Sequence, residues 1–134
     1  MKANMCCFVL LILLPLMAEA QIDPDALWKD CLSEGRPTTA RMNECTLQAE
    51  QNWDRELNSV YQQLINELND QGKASLRLSQ RQWIQYRDQE FAFLNAMHND
   101  PRFSGTMYSN TLASRRVTFV KNRVLELRRY LKSF

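Results

Sequence analysis

The stretch from residue 113 to residue 131, Ala113-Ser-Arg-Arg-Val-Thr-Phe-Val-Lys-Asn-Arg-Val-Leu-Glu-Leu-Arg-Arg-Tyr-Leu131, decides the fold. Apolar residues recur along it at alternating steps of four and three, at Ala113, Val117, Val120, Val124, Leu127 and Leu131. This heptad seam is typical of a long helix that packs at a shallow angle against another long helix. The stretch therefore predicts an all-α protein.

The preceding sequence supplies three more helices. It is rich in Leu, Gln, Glu, Arg and Ala, and glycine or proline interrupts it at only a few places. The expected helices span about 24–33, from 38 or 39 to Gly72, 73–99, and from about 109 onwards. On the third helix we expect one apolar side, made by Leu76, Trp83, Ile84, Phe91 and Leu94 with Tyr86 and Phe93 beside it. The pattern indicates an elongated antiparallel bundle of three long helices plus a short N-terminal helix.

Residues 1–20 are typical of a cleaved secretory signal peptide. Lys2 precedes an apolar run, and the segment ends in Ala18-Glu19-Ala20, which fits a small-residue cleavage site. We therefore expect an exported protein, periplasmic or secreted, with a single domain over residues 21–134. No later stretch is apolar enough for a membrane span.

Two cysteines, Cys31 and Cys45, remain after the expected cleavage. In an exported protein such a pair usually forms a disulfide, although two buried free thiols are the alternative. A zinc site fits poorly, because these two residues and the distant His98 do not complete a four-ligand set. We expect no metal and no cofactor.

Charge is distributed unevenly along the chain. Residues 113–134 carry seven Lys and Arg against one Glu, whereas residues 21–112 carry nine Lys and Arg against thirteen Asp and Glu. One interpretation is that acidic faces of neighbouring helices receive the basic last helix. The alternative is contact with anionic lipid. Nucleic acid is an unexpected partner for an exported protein.

The residues needed for catalysis are largely missing. A single histidine and three scattered glycines provide neither a convincing catalytic triad nor a phosphate loop. Carboxylate pairs such as Asp54 and Glu56 lie two residues apart and so point to different sides of a helix. We therefore expect a protein that is not an enzyme.

Polar residues interrupt the apolar side of the third helix. Gln80, Trp83 and Arg87 follow each other at steps of three and four. The guanidinium of Arg87 has five donors, and Asp54 or Glu50 on the neighbouring helix could accept two of them. We interpret this group as a structural clasp that sets helix register, with a ligand site as the alternative.

Three motifs together resemble a known family. They are Cys31-x13-Cys45, Asp54-x-x-Leu57-Asn58-x-x-Tyr61, and Gln80-Arg81-x-Trp83-x-x-Tyr86-Arg87-Asp88. They resemble the N-terminal domain of the LprI-type lysozyme inhibitors, a group of small exported bacterial helical proteins, and the likeness covers about residues 28–131. Many members carry a second cysteine pair, and here Phe91 occupies one of its two positions.

The resemblance implies a helical fold and an inhibitor of lysozyme or another peptidoglycan hydrolase, with structural roles for the motif residues. A loop with a basic or polar tip could plug the lysozyme cleft, which holds two catalytic carboxyl groups. The candidate loops are residues 35–38, with Arg36, Pro37 and Thr38, and residues 100–105, with Arg102 and Phe103. Ordinary interhelix turns are the alternative for both. The alternative function is a cell-envelope interaction module that binds another exported protein or an anionic lipid surface.

Overall fold

The structure is a computed structural model that describes residues 23–103 and 105–134. The expected signal peptide and Ser104 lie outside these ranges. The chain forms α1 (Pro24–Ser33), α2 (Thr39–Glu67), α3 (Asp70–His98) and α4 (Thr106–Leu131), with a short 3-10 turn at Pro101–Phe103. This architecture confirms the all-α bundle of three long helices and a short leading one. No helix in the described ranges is long and apolar enough to cross a bilayer.

The hydrophobic core lies mainly between α2 and α4. Both helices start at the same end of the bundle, because α3, which connects them in the chain, runs antiparallel to both. The predicted seam of α4 faces this core, and its four central residues are completely buried: Val117, Val120, Val124 and Leu127. From α2 the core receives Ala49, Trp53, Leu57, Val60 and Leu64.

α1 packs against α2 and is joined to it covalently. Asp23 caps its start by accepting a hydrogen bond from the Asp25 backbone N–H, and Pro24 occupies the first position. The expected disulfide between Cys31 and Cys45 is present, with a Cα–Cα distance of 5.6 Å.

The turn between α2 and α3 differs from the sequence-based expectation. Gly72 does not end α2. Instead α2 ends at Glu67, and Gly72 lies in the first turn of α3, where its N–H donates to the Asn69 side chain at 2.8 Å. A Cβ at Gly72 would lie 3.0 Å from Leu68 Cδ2. The glycine therefore permits a close approach at a tight turn and does not terminate a helix.

The expected apolar side of α3 is only partly formed. Leu94 and Gln80 are the residues of α3 that are buried, while Leu76, Trp83 and Phe91 are partly buried against the core. Ile84, Tyr86 and Phe93 are exposed, so their predicted placement beside the core is wrong. The physical reason is that α3 contacts the other helices along a narrow strip only.

α4 begins earlier than the sequence suggests, at Thr106 rather than near Ser109. The residue before it, Gly105, has a φ of 127°, in a region that side chains rarely adopt. Glycine at this position therefore permits the backbone conformation that precedes the first residue of α4.

Candidate functional site

The two loops predicted as partner-binding segments lie at the same end of the bundle. One connects α1 to α2, the other connects α3 to α4, and α2 and α4 start side by side. A contact of 4.0 Å between Asn110 Nδ2 and Met42 Sδ joins the first turns of these two helices. We call residues 34–38 and 99–103, with the adjoining first turns of α2 and α4, the loop end.

The first loop is fixed at both of its ends, by a helix cap and by an ion pair. Thr38 Oγ1 accepts a hydrogen bond from the Arg41 backbone N–H at 3.2 Å and so caps α2. The Arg41 side chain also forms a 3.1 Å ion pair with Glu34, at the start of the loop. Arg36 and Pro37 lie exposed between these two anchors.

The second loop presents another arginine from a compact turn. The Asp100 carboxylate accepts hydrogen bonds from the Arg102 backbone N–H at 2.9 Å and from its guanidinium at 2.6 Å. These bonds hold the pKa of Asp100 below its usual value and raise the pKa of Arg102. The Arg102 side chain is 81% exposed, whereas Phe103 packs edge-on against Tyr108 at 5.4 Å between ring centroids.

A cleft of about 560 Å³ opens between the first turn of α2 and the N-terminal half of α4. Its rim includes Thr39 and Thr106, the first residues of α2 and α4. The rest of its lining comes from Met42 and from α4 residues that include Asn110, Ser114, Arg115 and Thr118, and most of the surface that these residues expose to the cleft is apolar. The sequence pattern does not indicate this cleft, because these α4 residues are those expected on a solvated helix face.

The residues of the family motifs divide into inward-facing and exposed groups. Leu57 and Gln80 are buried, and Trp83 and Tyr61 pack partly buried against the core. Exposed positions are Asn58, Arg81, Tyr86 and Asp88. Burial agrees with a structural role for the inward-facing residues, but it does not explain why the exposed residues belong to the motifs.

The predicted clasp at Arg87 forms differently from our expectation. Arg87 pairs with its neighbour Asp88 at 2.8 Å, not with Asp54 or Glu50. Glu50 instead accepts from Arg116 of α4 at 2.8 Å. The Arg87 guanidinium lies over the rings of Trp83 and Phe91, 5.6 and 5.9 Å from their centroids, and from there it reaches the adjacent Asp88 carboxylate.

A buried group of polar side chains like the expected clasp is centred on Arg123 of α4. Its guanidinium, only 7% exposed, donates to Gln80 Oε1 at 3.1 Å, to Ser79 Oγ at 3.2 Å and to Glu126 Oε2 at 2.7 Å. The bond from Arg123 is the main cause that lowers the pKa of Glu126. The sequence signal was Gln80 itself, since an amide on a core-facing strip needs a partner.

The carboxyl group of Asp54, on α2, is partly buried. Desolvation raises its pKa, and the nearby Glu50 adds to this effect. The positive charges of Arg87 and Arg116 oppose the shift without cancelling it. Asp54 is therefore placed close to arginines, although it is not the bidentate acceptor that the sequence analysis expected.

Aromatic rings connect α3 to α4 around Phe119. Trp83, Tyr86 and Phe91 lie with their ring centroids 5.8, 5.3 and 6.1 Å from that of Phe119. The guanidinium of Arg116 lies over the Phe91 ring at 4.4 Å. Phe91 thus holds α3 to α4 by packing.

Ion pairs account for most of the basic residues of α4. Arg116 pairs with Glu50 and Arg128 with Glu56, both on α2, and Lys121 pairs with Asp25 on α1. Arg123 pairs with Glu126 within α4. These contacts agree with the interpretation that acidic faces of neighbouring helices receive α4, and they leave few of its cations for an anionic lipid surface.

Comparison with known proteins gives one match. The family model described as lysozyme inhibitor LprI matches residues 31–127, which run from the disulfide to the last core residue of α4. Neither a curated protein nor a solved structure matches the chain.

Proposed function

Because the chain belongs to the LprI family of lysozyme inhibitors, we propose that it is an exported, non-enzymatic protein that inhibits lysozyme through its loop end. The family relation supports the class of target. The positions and charges of the described residues indicate the surface.

One observation supports the choice of surface: two exposed arginines, Arg36 and Arg102, lie on separate loops at the same end of the molecule. The Arg102 guanidinium already pairs with Asp100, so it has to exchange this partner to bind a carboxylate of the enzyme. The lysozyme cleft holds two catalytic carboxyl groups. A guanidinium matches a carboxylate in charge and in geometry, because two parallel N–H groups can bind its two oxygens. The loop end therefore complements the enzyme cleft.

The anchoring of the first loop favours tight binding. The Cys31–Cys45 disulfide lies beside it, and the Thr38 cap and the Glu34–Arg41 ion pair bound it. A loop that is already ordered loses less conformational entropy when it enters a cleft. We expect the loop to keep its conformation in the complex.

The direct test has two parts. Purified protein, residues 21–134, is added to lysozyme clearing a suspension of peptidoglycan, and its binding to lysozyme is measured separately by calorimetry without any peptidoglycan. We expect slower clearing together with heat of binding in the second measurement. The second part is essential, because a protein that merely coats peptidoglycan also slows clearing.

Charge reversal locates the surface. The double variant Arg36→Glu, Arg102→Glu should weaken binding to lysozyme at least about tenfold, since each change removes a cation and adds a repelling carboxylate. The matched control is Arg129→Glu, an exposed arginine near the other end of α4, which should bind like the unchanged protein. No inhibition and no binding at micromolar excess across several lysozyme types would refute the proposal.

Export makes a separate prediction. If residues 1–20 are a signal peptide, the protein recovered from the bacterial periplasm or culture medium should begin at Gln21. Mass spectrometry of the intact protein measures this, and a product that retains residues 1–20 would contradict it.

A further inference from the structure

The outward face of α3 carries a stripe of uncharged side chains, which we call the α3 stripe. Its members recur at alternating steps of four and three residues over about 38 Å of helix. All of them are exposed in the described part of the chain: Gln71, Ser75, Leu78, Gln82, Gln85, Gln89, Ala92 and Ala96. By contrast, charged residues such as Arg55 and Arg129 interrupt the outward faces of α2 and α4. The spacing of the α3 stripe is that by which one helix packs along another.

The two edges of the α3 stripe differ in chemistry. Arg81 and Asp88 lie on one edge, seven residues apart and therefore on the same side of the helix. Tyr86 and Phe93 lie on the other edge, and each is more than half exposed, as is Leu78 within the stripe. This face of α3 thus presents apolar surface with a polar border, which is typical of an interaction site.

The charged edge has binding capacity that the chain itself does not use. Arg81 is exposed, and no described carboxylate lies within ion-pair distance of it. Arg87 donates to Asp88 from Nε at 3.0 Å and from Nη2 at 2.8 Å, but both bonds reach the same oxygen, Oδ1. No described residue donates to Oδ2 of Asp88. The edge therefore offers a cation and a carboxylate oxygen to a partner.

We propose that the α3 stripe packs against the same stripe of a second copy of this chain, in an antiparallel pair related by a two-fold axis. The register that aligns the two stripes from end to end places Gln82 of one copy opposite Gln85 of the other. A two-fold axis brings each edge against the same edge of the other copy. The same register therefore pairs Arg81 of each copy with Asp88 of the other.

The charges select a second copy in this orientation. Arg81 and Asp88 complement themselves only when the two helices run antiparallel, because a parallel pair would place the charged edge against the aromatic edge. Glutamine amides meet at the centre of the contact, and polar residues in a helix seam fix the register at a cost in stability. We expect a reversible dimer with a dissociation constant between about 1 and about 100 µM.

This inference does not rest on lysozyme inhibition. The loop end lies at the C-terminal end of α3, so an antiparallel pair places its two loop ends far apart and leaves both open. Dimerisation is measured with no enzyme present. A dimer that does not bind lysozyme would refute only the proposed function, and a monomer that binds lysozyme would refute only this inference.

The test is analytical ultracentrifugation of the protein, residues 21–134, at concentrations from about 1 to about 300 µM, which bracket the expected dissociation constant. We expect the mass to rise from that of a monomer to that of a dimer. Leu78→Lys places a cation within the stripe and should weaken the dimer at least about tenfold. The matched control is Leu47→Lys, a similarly exposed leucine on α2, which should dimerise like the unchanged protein.

Charge reversal tests the register. Arg81→Glu and Asp88→Arg should each weaken the dimer at least about tenfold, because each places like charges opposite one another. A mixture of these two variants should associate again, since both charge pairs are then opposite in sign. Circular dichroism checks that each variant is folded. A monomer at every concentration, a dimer that neither charge variant weakens, or no recovery in the mixture would overturn the inference.

Discussion

Arg123 and Arg87 show how the position of a single side chain decides its contribution. The Arg123 guanidinium is buried and has three side-chain partners from α3 and α4. The Arg87 ion pair with Asp88 is adjacent in sequence and partly solvated. Exposed ion pairs contribute little to stability, whereas a buried group that loses its partner is costly.

The Arg123→Ala variant should therefore lower the free energy of unfolding by about 2 to 4 kcal/mol, because it leaves the buried Gln80 amide unpaired. Arg87→Ala should cost no more than about 1 kcal/mol. Urea denaturation followed by circular dichroism measures both, with Arg129→Ala as an exposed control. Equal losses for Arg123→Ala and Arg87→Ala would contradict the placement of the clasp.

Asp54 predicts a pH dependence. Its pKa is raised in the folded protein, mainly by desolvation, so the folded state binds this proton more tightly than the unfolded state does. The contribution of Asp54 to stability is therefore most favourable below the unfolded pKa and declines as the pH rises through the folded pKa.

The Asp54→Asn variant removes this titration. The difference in unfolding free energy between this variant and the unchanged protein should therefore shift in favour of the variant as the pH rises from about 3 to about 7. Urea denaturation at several pH values gives the difference in unfolding free energy. A difference that stays constant with pH, or that moves in the opposite direction, would show that Asp54 has no raised pKa.

At the scale of single elements, α1 depends most on a covalent link. It is ten residues long and has one buried residue, Pro24, so its own packing holds it weakly. Isolated helices of this length are marginal in water. The disulfide and the Lys121–Asp25 ion pair connect α1 to α2 and α4.

Removing the disulfide should therefore destabilise the protein and release α1 first. The Cys31→Ser, Cys45→Ser variant is expected to lose about 3 kcal/mol, since the chain-entropy model gives this value for a loop of about 15 residues. Thermal unfolding measures the loss, and the amide signals of α1 should broaden before those of α2. A melting temperature unaffected by reduction would be the opposite result.

Across the whole molecule, stability is concentrated in one pair of helices. The completely buried core residues belong to α2 and α4, while α3 has only two buried residues along its length. Regions with few buried contacts open more readily than the core does. Leu78 and Phe93 on α3 are exposed and lie outside that core, while the exposed Tyr86 contacts Phe119 of α4.

Hydrogen exchange should reveal this difference. We expect the slowest amide exchange within α2 from Trp53 to Leu64 and within α4 from Val117 to Leu127, with faster exchange along most of α3. Mass spectrometry of peptides or NMR gives the rates. Protection of α3 as strong as that of α2 would mean that α3 is a full part of the core.

The sequence by itself determined the features that depend on local interactions. The span of α1, the heptad seam of α4 and the pairing of the remaining two cysteines all followed from residues close together in the chain or from composition. The predicted end of α2 and the predicted start of α4 were less accurate. At the end of α2 the reason is that a glycine, here Gly72, can permit close packing as well as end a helix.

Only the tertiary structure decided which distant residues meet. The rotation of α3 gave the buried clasp to Arg123 and left Arg87 beside Asp88. The parallel starts of α2 and α4 brought two separate loops to one end and opened a cleft between them. Such outcomes depend on helix rotation and on contacts between residues far apart in the chain, and periodicity along a single helix specifies neither.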